Sequence, residues 1–507
     1  MASGIFRTKS VEESILETDE PGHKLKRDLS ALDLTVFGVG VIVGTGIFVL
    51  TGQQAARNAG PAIVLSFLLA AVVCALAALC YAEFASTVPV AGSAYTFGYA
   101  TLGELVAWII GWDLVLELGL GAAVVARGWS AYLQSLFGLP TWLAGDEAIP
   151  DFGAIFIVAL LTVVGIVGTK LSGRLTGILV AIKVAVVLFV IGLGLFYVKA
   201  DNLTPWIPPA VPAEAAEGGQ EPLLQALLGI VPQHFGFFGI VAAASIVFFA
   251  YIGFDVVATT AEETRNPQRD MPRGILWSLG ICAVLYMATA FVITGMANYR
   301  DLDTGAPLAE AFSANGVEWA AKLISLGAIC GITTVILVLL LGQARVLFAM
   351  SRDRLLPPGL ARVHPKYRTP WLITAVTGAA VAVLAGFVPL SKLSELTSIG
   401  TLFAFVVVSI GVVVLRRTRP DLPRAFRTPF VPVLPIVAVL ACVWLMLNLP
   451  VDTWIRFGVW MVVGFVVYFG YGMRAAAKRR GTENVAATPL SPLRERRDER
   501  RDDVSPD

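Results

Sequence analysis

Long apolar runs, each about the width of a bilayer, alternate with short polar stretches along this chain. Runs of about 17–25 apolar residues mark helices that cross a membrane. They lie near 36–56, 62–84, 104–136, 152–170, 173–198, 236–261, 274–297, 318–349, 371–389, 394–415, 431–449 and 454–473, which predicts roughly twelve crossings. Each is too long and too continuous for a barrel strand. The pattern predicts an all-α polytopic membrane protein. Two of the runs are interrupted. Val39–Leu50 reads VGVIVGTGIFVL, with Gly40, Gly44 and Gly46 in the apolar run and polar Thr45 between the last two. In the sixth run Gly253 sits among Phe249, Tyr251 and Phe254, and Asp255 follows.

Glycine costs a helix interior more backbone entropy than any other residue and lets the chain turn freely. These two stretches therefore predict helices that break in mid-membrane. A break frees N–H and C=O groups, which must find partners in hydrocarbon. A polar ligand is one such partner, with amides at the new helix start facing an anion. Close packing of helices through small residues is the alternative. The breaks lie five spans apart, an odd number, so the two halves run in opposite directions. That is the signature of inverted repeats with a binding site at their interface, and it favours the ligand.

Composition agrees with the pattern. The 507 residues are 56% hydrophobic and only 15% charged, with mean hydropathy +0.75, against about 25% charged in soluble domains. A net charge of +1 says little, but its distribution says more. Arg7, Lys9, Lys24, Lys26 and Arg27 precede the first span, and Lys170, Arg174, Arg265, Arg269, Arg273, Arg352, Arg354, Arg362, Lys366, Arg368, Arg416 and Arg417 fall in loops on one side. Cytoplasmic loops collect Lys and Arg, so both termini are expected inside a plasma membrane. The first thirty residues carry no apolar signal region. All five cysteines fall within spans, as small core residues.

The expected organisation is an arm at 1–30, a first five-helix repeat at 31–200, an outer loop at 201–235, a second repeat at 236–418, two added spans at 419–475 and a disordered tail at 476–507. A short helix at the inner face is expected after the second span. Asn202-Leu203-Thr204 matches a glycosylation sequon by pattern alone.

Charges inside spans face a cavity or a partner. Asp113 and Glu117 are one helical turn apart on the third span, and Arg127 stands about 15 Å beyond Glu117 at the helical rise, facing the outer vestibule. Lys183 lies near the middle of the fifth span, where snorkelling is poor. Glu83 reads as an inner-gate or structural acid, and Asp255 as a cap on the inner half of span six. Thr333 and Thr334 are weak sodium-ligand candidates, with packing as the default. The three histidines fall in loops, and no His-plus-nucleophile or metal-ligand set lies in a span. No phosphate-cradling loop is present. An enzyme and an ATP-driven pump are therefore disfavoured, and no cofactor, metal or nucleic-acid partner is expected.

GVGVIVGTGIFVLTG, YAEFASTVPVAGSAYTF, GWDLVLEL, FFAYIGFD with AEETRNPQRDMPRGI, and GQARVLFAMSRDRLLP, in this order, resemble the amino acid–polyamine–organocation (APC) superfamily of permeases. They look most like its cationic amino acid transporter branch and the bacterial homologues of that branch. The resemblance runs from about Asp33 to Arg474. It implies a leucine-transporter-like fold of five plus five inverted helices, with two appended. It implies that the Ile42 carbonyl and the amides around Gly44, Thr45 and Gly46 take the substrate, the amides receiving the α-carboxylate. The carbonyls of Phe249, Ala250 and Ile252 would receive the α-ammonium, with the Phe249 ring as an outer gate. Glu117 matches a family acid lining the cavity. Lys183 matches a lysine that stands, in proton-driven members, where sodium-coupled relatives hold Na⁺. The expected function is secondary transport of L-amino acids by alternating access, with the proton as the expected coupling ion. An exchanger of the arginine/lysine/ornithine type and a non-translocating sensor are the alternatives, and side-chain specificity and oligomeric state stay open.

Overall fold

The computed structural model describes residues 28–473 and 475, apart from 89–92, 169–172 and 213–218. The arm up to Arg27, the tail from 476 and Lys170 of the basic loops lie outside the described residues. Among the described residues eight helical runs are long and apolar enough to cross a membrane, and four shorter apolar helices accompany them: Ala31–Ile42, Phe152–Val167, Trp371–Phe387 and Val433–Leu447. Ala31–Ile42 is the first half of the interrupted first span. Its Ser30 and Asp33 form a reciprocal capping box, which satisfies two amides at the helix start. The span resumes at Gly46 and passes a turn at Gly60–Ala62 into the second span, Ile63–Thr87.

The remaining spans follow the apolar pattern: Glu104–Phe137, Phe152–Val167, Gly173–Gly194, the interrupted sixth from Gly236, Pro267–Met296, Glu318–Arg352, Trp371–Phe387, Leu390–Thr418, Val433–Leu447 and Val451–Val467. Ser93–Thr101 is the short helix expected after span two. The spans pack as two groups. Spans one, two, six and seven lie together, and spans three, four, eight and nine lie together. Each group draws matching members from both repeats, as inverted repeats require. Small residues permit the close approaches, with Gly38 against Ser278 and Gly331 against the Lys183 stem. The last two spans pack on span ten, and Trp460 of the twelfth stacks on Trp112 of the third at 4.5 Å between centroids.

Buried polar clamps tie the ends of the spans. Near the end of span three remote from the basic loops, Arg127 donates to the carbonyls of Ala385, Asp146, Ala148 and Gly386 at 2.9–3.3 Å and is itself buried. It serves the backbone, with no face toward an open vestibule. At the basic face Glu83 takes a bidentate contact from Arg416 at 2.9 and 2.6 Å and the Thr428 amide at 2.7 Å. Arg424 adds a second cation, its Nε 3.5 Å from Glu83 Oε1.

Candidate functional site

Both interrupted spans break where glycine clusters. In the first, the helix ends at Ile42, Val43 is extended, and the chain re-enters as a widened π-type turn at Gly46–Leu50. Such turns are frequent at functional sites. In the sixth, the helix from Gly236 tightens at Phe248–Tyr251, Ile252 is extended, and Gly253 has φ of +126°, a conformation reserved for glycine. Asp255 then accepts the Gly253 amide at 3.1 Å, capping the new helix. The breaks touch: a Cβ on Gly46 would strike the Ala250 backbone.

A small cavity lies between them. Ile42, Gly44, Thr45, Gly46, Glu117, Phe249 and Ile252 all line it, with Val41, Gly121, Val125, Val335 and Leu339 completing the wall. Ala250 stands behind the wall, its carbonyl turned to Tyr286. Toward the basic face aromatic rings pack together, with the Phe405 centroid 5.0 Å from that of Phe254 and 5.4 Å from that of Tyr81. At the other face Gln53 donates to Asp146 at 2.8 Å, and Arg57 grips both oxygens of Asp303 at 2.8 and 3.0 Å.

Lys183 lies outside the cavity, behind the first break. Its Nζ donates to the carbonyls of Gly40 at 2.6 Å and Val43 at 3.3 Å and to the Thr334 hydroxyl oxygen at 3.0 Å. The Thr334 proton is already given to the Gly331 carbonyl. Three acceptors therefore surround the nitrogen, which matches an ammonium with three N–H bonds and exceeds the two of a neutral amine. A mid-membrane lysine costs about 2.5–3.5 kcal/mol on insertion scales, and hydrogen bonds to a charged group return about 1.5–3 kcal/mol each, so the triple contact suffices to hold it there. Thr333 points elsewhere and accepts from the Trp129 indole at 3.0 Å.

Tyr286 of span seven was not singled out by the sequence. Fully buried, its hydroxyl bridges the Ile42 carbonyl at 2.7 Å and the Ala250 carbonyl at 3.0 Å. One phenolic proton serves one carbonyl at a time, so the pair keeps capacity for a further donor. The available signal was a lone tyrosine inside an apolar span, since a buried hydroxyl needs a partner. On span three both Asp113 oxygens and Glu117 Oε1 are buried without hydrogen-bond partners, and Glu117 has the Thr401 hydroxyl within reach.

Helix-start amides and backbone carbonyls meet here, groups that pair with an anion and a cation respectively. A family profile described as "Amino acid permease" matches residues 29–469. The chain belongs to the amino acid permease family, within the APC superfamily. The permease is 45% identical over 490 residues to "Branched-chain amino acid permease BcaP" of Bacillus subtilis, covering 94% of this chain and 99% of that one. It is 44% identical over 484 residues to "Methylthioribose transporter" of the same organism, covering 93% and 98%. It is 39% identical over 429 residues to "Cationic amino acid transporter 4, vacuolar" of Arabidopsis thaliana, covering 83% and 68%. These relatives are transporters, and the permease is a multi-pass membrane transporter, with no enzyme among them.

Proposed function

We propose that the permease moves L-amino acids across the cytoplasmic membrane by alternating access, driven by protons through Lys183, with both termini and the basic face in the cytoplasm. The observation that carries this reading is the meeting of both helix breaks in the wall of one cavity. The amides of Gly44, Thr45 and Gly46 receive the α-carboxylate. The carbonyls of Ile42, Phe249 and Ile252 receive the α-ammonium, with Ala250 behind the wall and bound through its carbonyl to Tyr286. The rest of the wall, Gly121, Val125, Val335 and Leu339, is apolar, which favours a compact hydrocarbon side chain. The name of the branched-chain relative supports that preference.

A second reading rests on Glu117 Oε1, which is buried in the cavity wall without a partner. A cationic side chain reaching it gains a charge-assisted bond, in line with the name of the Arabidopsis relative. Thermal-shift screening of the twenty amino acids ranks the two, because a ligand stabilises the state it binds. Methylthioribose belongs in the same screen, since it has neither α-group. Uptake of the best ligand into proteoliposomes under imposed proton or sodium gradients then tests transport. Binding without uptake identifies a sensor. Uptake that needs an amino acid on the far side identifies an exchanger.

A further inference from the structure

The seventh span presents one stripe that the transport site does not use. Arg269, Arg273, Leu276, Trp277, Gly280 and Val284 recur at helical spacing on a single exposed face of Pro267–Met296. Two contiguous grooves follow it. The first runs between Arg269, Arg273 and Trp277 on one side and Ala425 and Phe426 on the other. The second is a shallow apolar depression that continues along the same helix past Trp277, Gly280 and Val284. They share Leu276 and Trp277.

We propose that this groove binds one anionic phospholipid, its phosphate between Arg269 and Arg273 and an acyl chain along Trp277, Gly280 and Val284. Charge complementarity is specific to the place. Arg273 has no hydrogen bond or ion pair among the described residues, and Arg269 has only a loose 3.8 Å contact to Asp270 with its side chain 68% exposed. The helix start at Pro267 adds its own positive end. Arg424, close by in sequence, is committed to the carbonyls of Leu422 and Arg419 at 2.9 and 2.7 Å. The length also fits. Arg273 to Val284 spans about 16 Å at the helical rise, about half of the ~30 Å hydrocarbon core and so the depth of one leaflet. Gly280 leaves open space along this path, since a Cβ there meets nothing within 4 Å. Two residues past Phe426, the Thr428 amide is bound to Glu83. A lipid seated here joins span seven to the segment entering span eleven.

The test uses the full-length purified protein and native mass spectrometry with dioleoylphosphatidylglycerol, dioleoylphosphatidylcholine and inorganic phosphate. Phosphatidylglycerol should bind saturably and phosphatidylcholine should not. Juxtamembrane arginines contribute about 1 kcal/mol each, so Arg269→Gln with Arg273→Gln should weaken phosphatidylglycerol binding about 30-fold. Arg362→Gln with Lys366→Gln removes equal charge from an exposed loop on the same face and should leave binding within about twofold of the parent. Gly280→Leu places bulk on the acyl path with the arginines intact, has open space to occupy, and should abolish retention of the lipid. An equal loss in the loop pair, unchanged binding in either groove variant, or full displacement by inorganic phosphate overturns the proposal.

Discussion

The Lys183 ammonium lies 2.6 Å from the Gly40 carbonyl, 143 residues away. A side chain of the fifth span thus closes over the backbone break of the first, and through Thr334 it reaches the eighth. A proton on this nitrogen completes three hydrogen bonds, and its loss leaves one acceptor unserved.

Lys183→Met should therefore separate binding from coupling. It keeps the stem that packs against Gly331 and removes the three donors. Substrate binding should survive within about tenfold, while uptake driven by an inward proton gradient should disappear and sodium should not restore it. Proteoliposome uptake under imposed gradients measures this. Sodium-driven, pH-independent uptake by the parent protein would remove Lys183 from the mechanism and turn attention to Thr333 and Thr334.

The two glycines of the first break should respond differently to alanine. At Gly46 the new Cβ meets the Ala250 backbone, which cannot yield, whereas at Gly44 it meets Val335 Cγ2 at 3.5 Å, an ordinary contact. Overpacking costs about 1–3 kcal/mol. Gly46→Ala should lower the melting temperature and abolish binding, and Gly44→Ala should fold normally with a smaller loss of affinity. Calorimetric titration of both purified variants decides between a site role and a packing role.

Tyr286→Phe keeps the ring and deletes the hydroxyl that joins the Ile42 and Ala250 carbonyls. One neutral hydrogen bond is worth about 0.5–1.5 kcal/mol, so affinity for the α-ammonium should fall by roughly up to tenfold. An amide of the same amino acid, which keeps the ammonium, should lose as much; a deaminated acid should bind poorly to parent and variant alike. Unchanged affinity of the amino acid would leave Tyr286 as packing only.

A fourth test concerns pH. Asp151 caps the fourth span, accepting from Ser130 at 2.6 Å and the Ala154 amide at 3.0 Å. Burial pushes its carboxyl up to about 6, against the lowering effect of those bonds and of Arg127. A raised carboxyl binds its proton more tightly in the folded chain. The resulting destabilisation is absent at low pH, develops as pH rises from the ordinary value of about 3.9, and is complete above about 6. Asp151→Asn retains a good cap and carries no charge. Its melting temperature should exceed the parent's above about pH 6, and the gain should shrink as pH falls toward about 4. A gain independent of pH would assign the effect to something other than this charge.

What the sequence exposed and what it concealed follow a physical division. The breaks were legible because glycines inside apolar runs contradict the helix around them, and both fall where Gly44, Gly46 and Gly253 stand. Lys183 was legible because a mid-span charge has no cheap explanation. Tyr286 was hidden, since a tyrosine in a span is unremarkable until its hydroxyl's partners, 244 and 36 residues away, are known. Arg127 was read as facing an open vestibule because its acceptors are carbonyls, which leave no mark on a sequence. The acid–base clamp of Glu83 with Arg416 links positions 333 apart and was equally unreadable.

The Arg127 clamp bears on how the chain is made. Its Asp146 and Ala148 acceptors follow 19 and 21 residues later, but those at Ala385 and Gly386 follow 258 and 259 residues later. At about 5–20 residues per second of synthesis, the second pair arrives roughly 13–50 s after the third span has emerged. During that interval the guanidinium has only the local hairpin to shelter it. Biogenesis of this permease thus passes through a half-built shell around one charge, completed when the ninth span docks. Ribosome stalling before Ala385 would trap that intermediate.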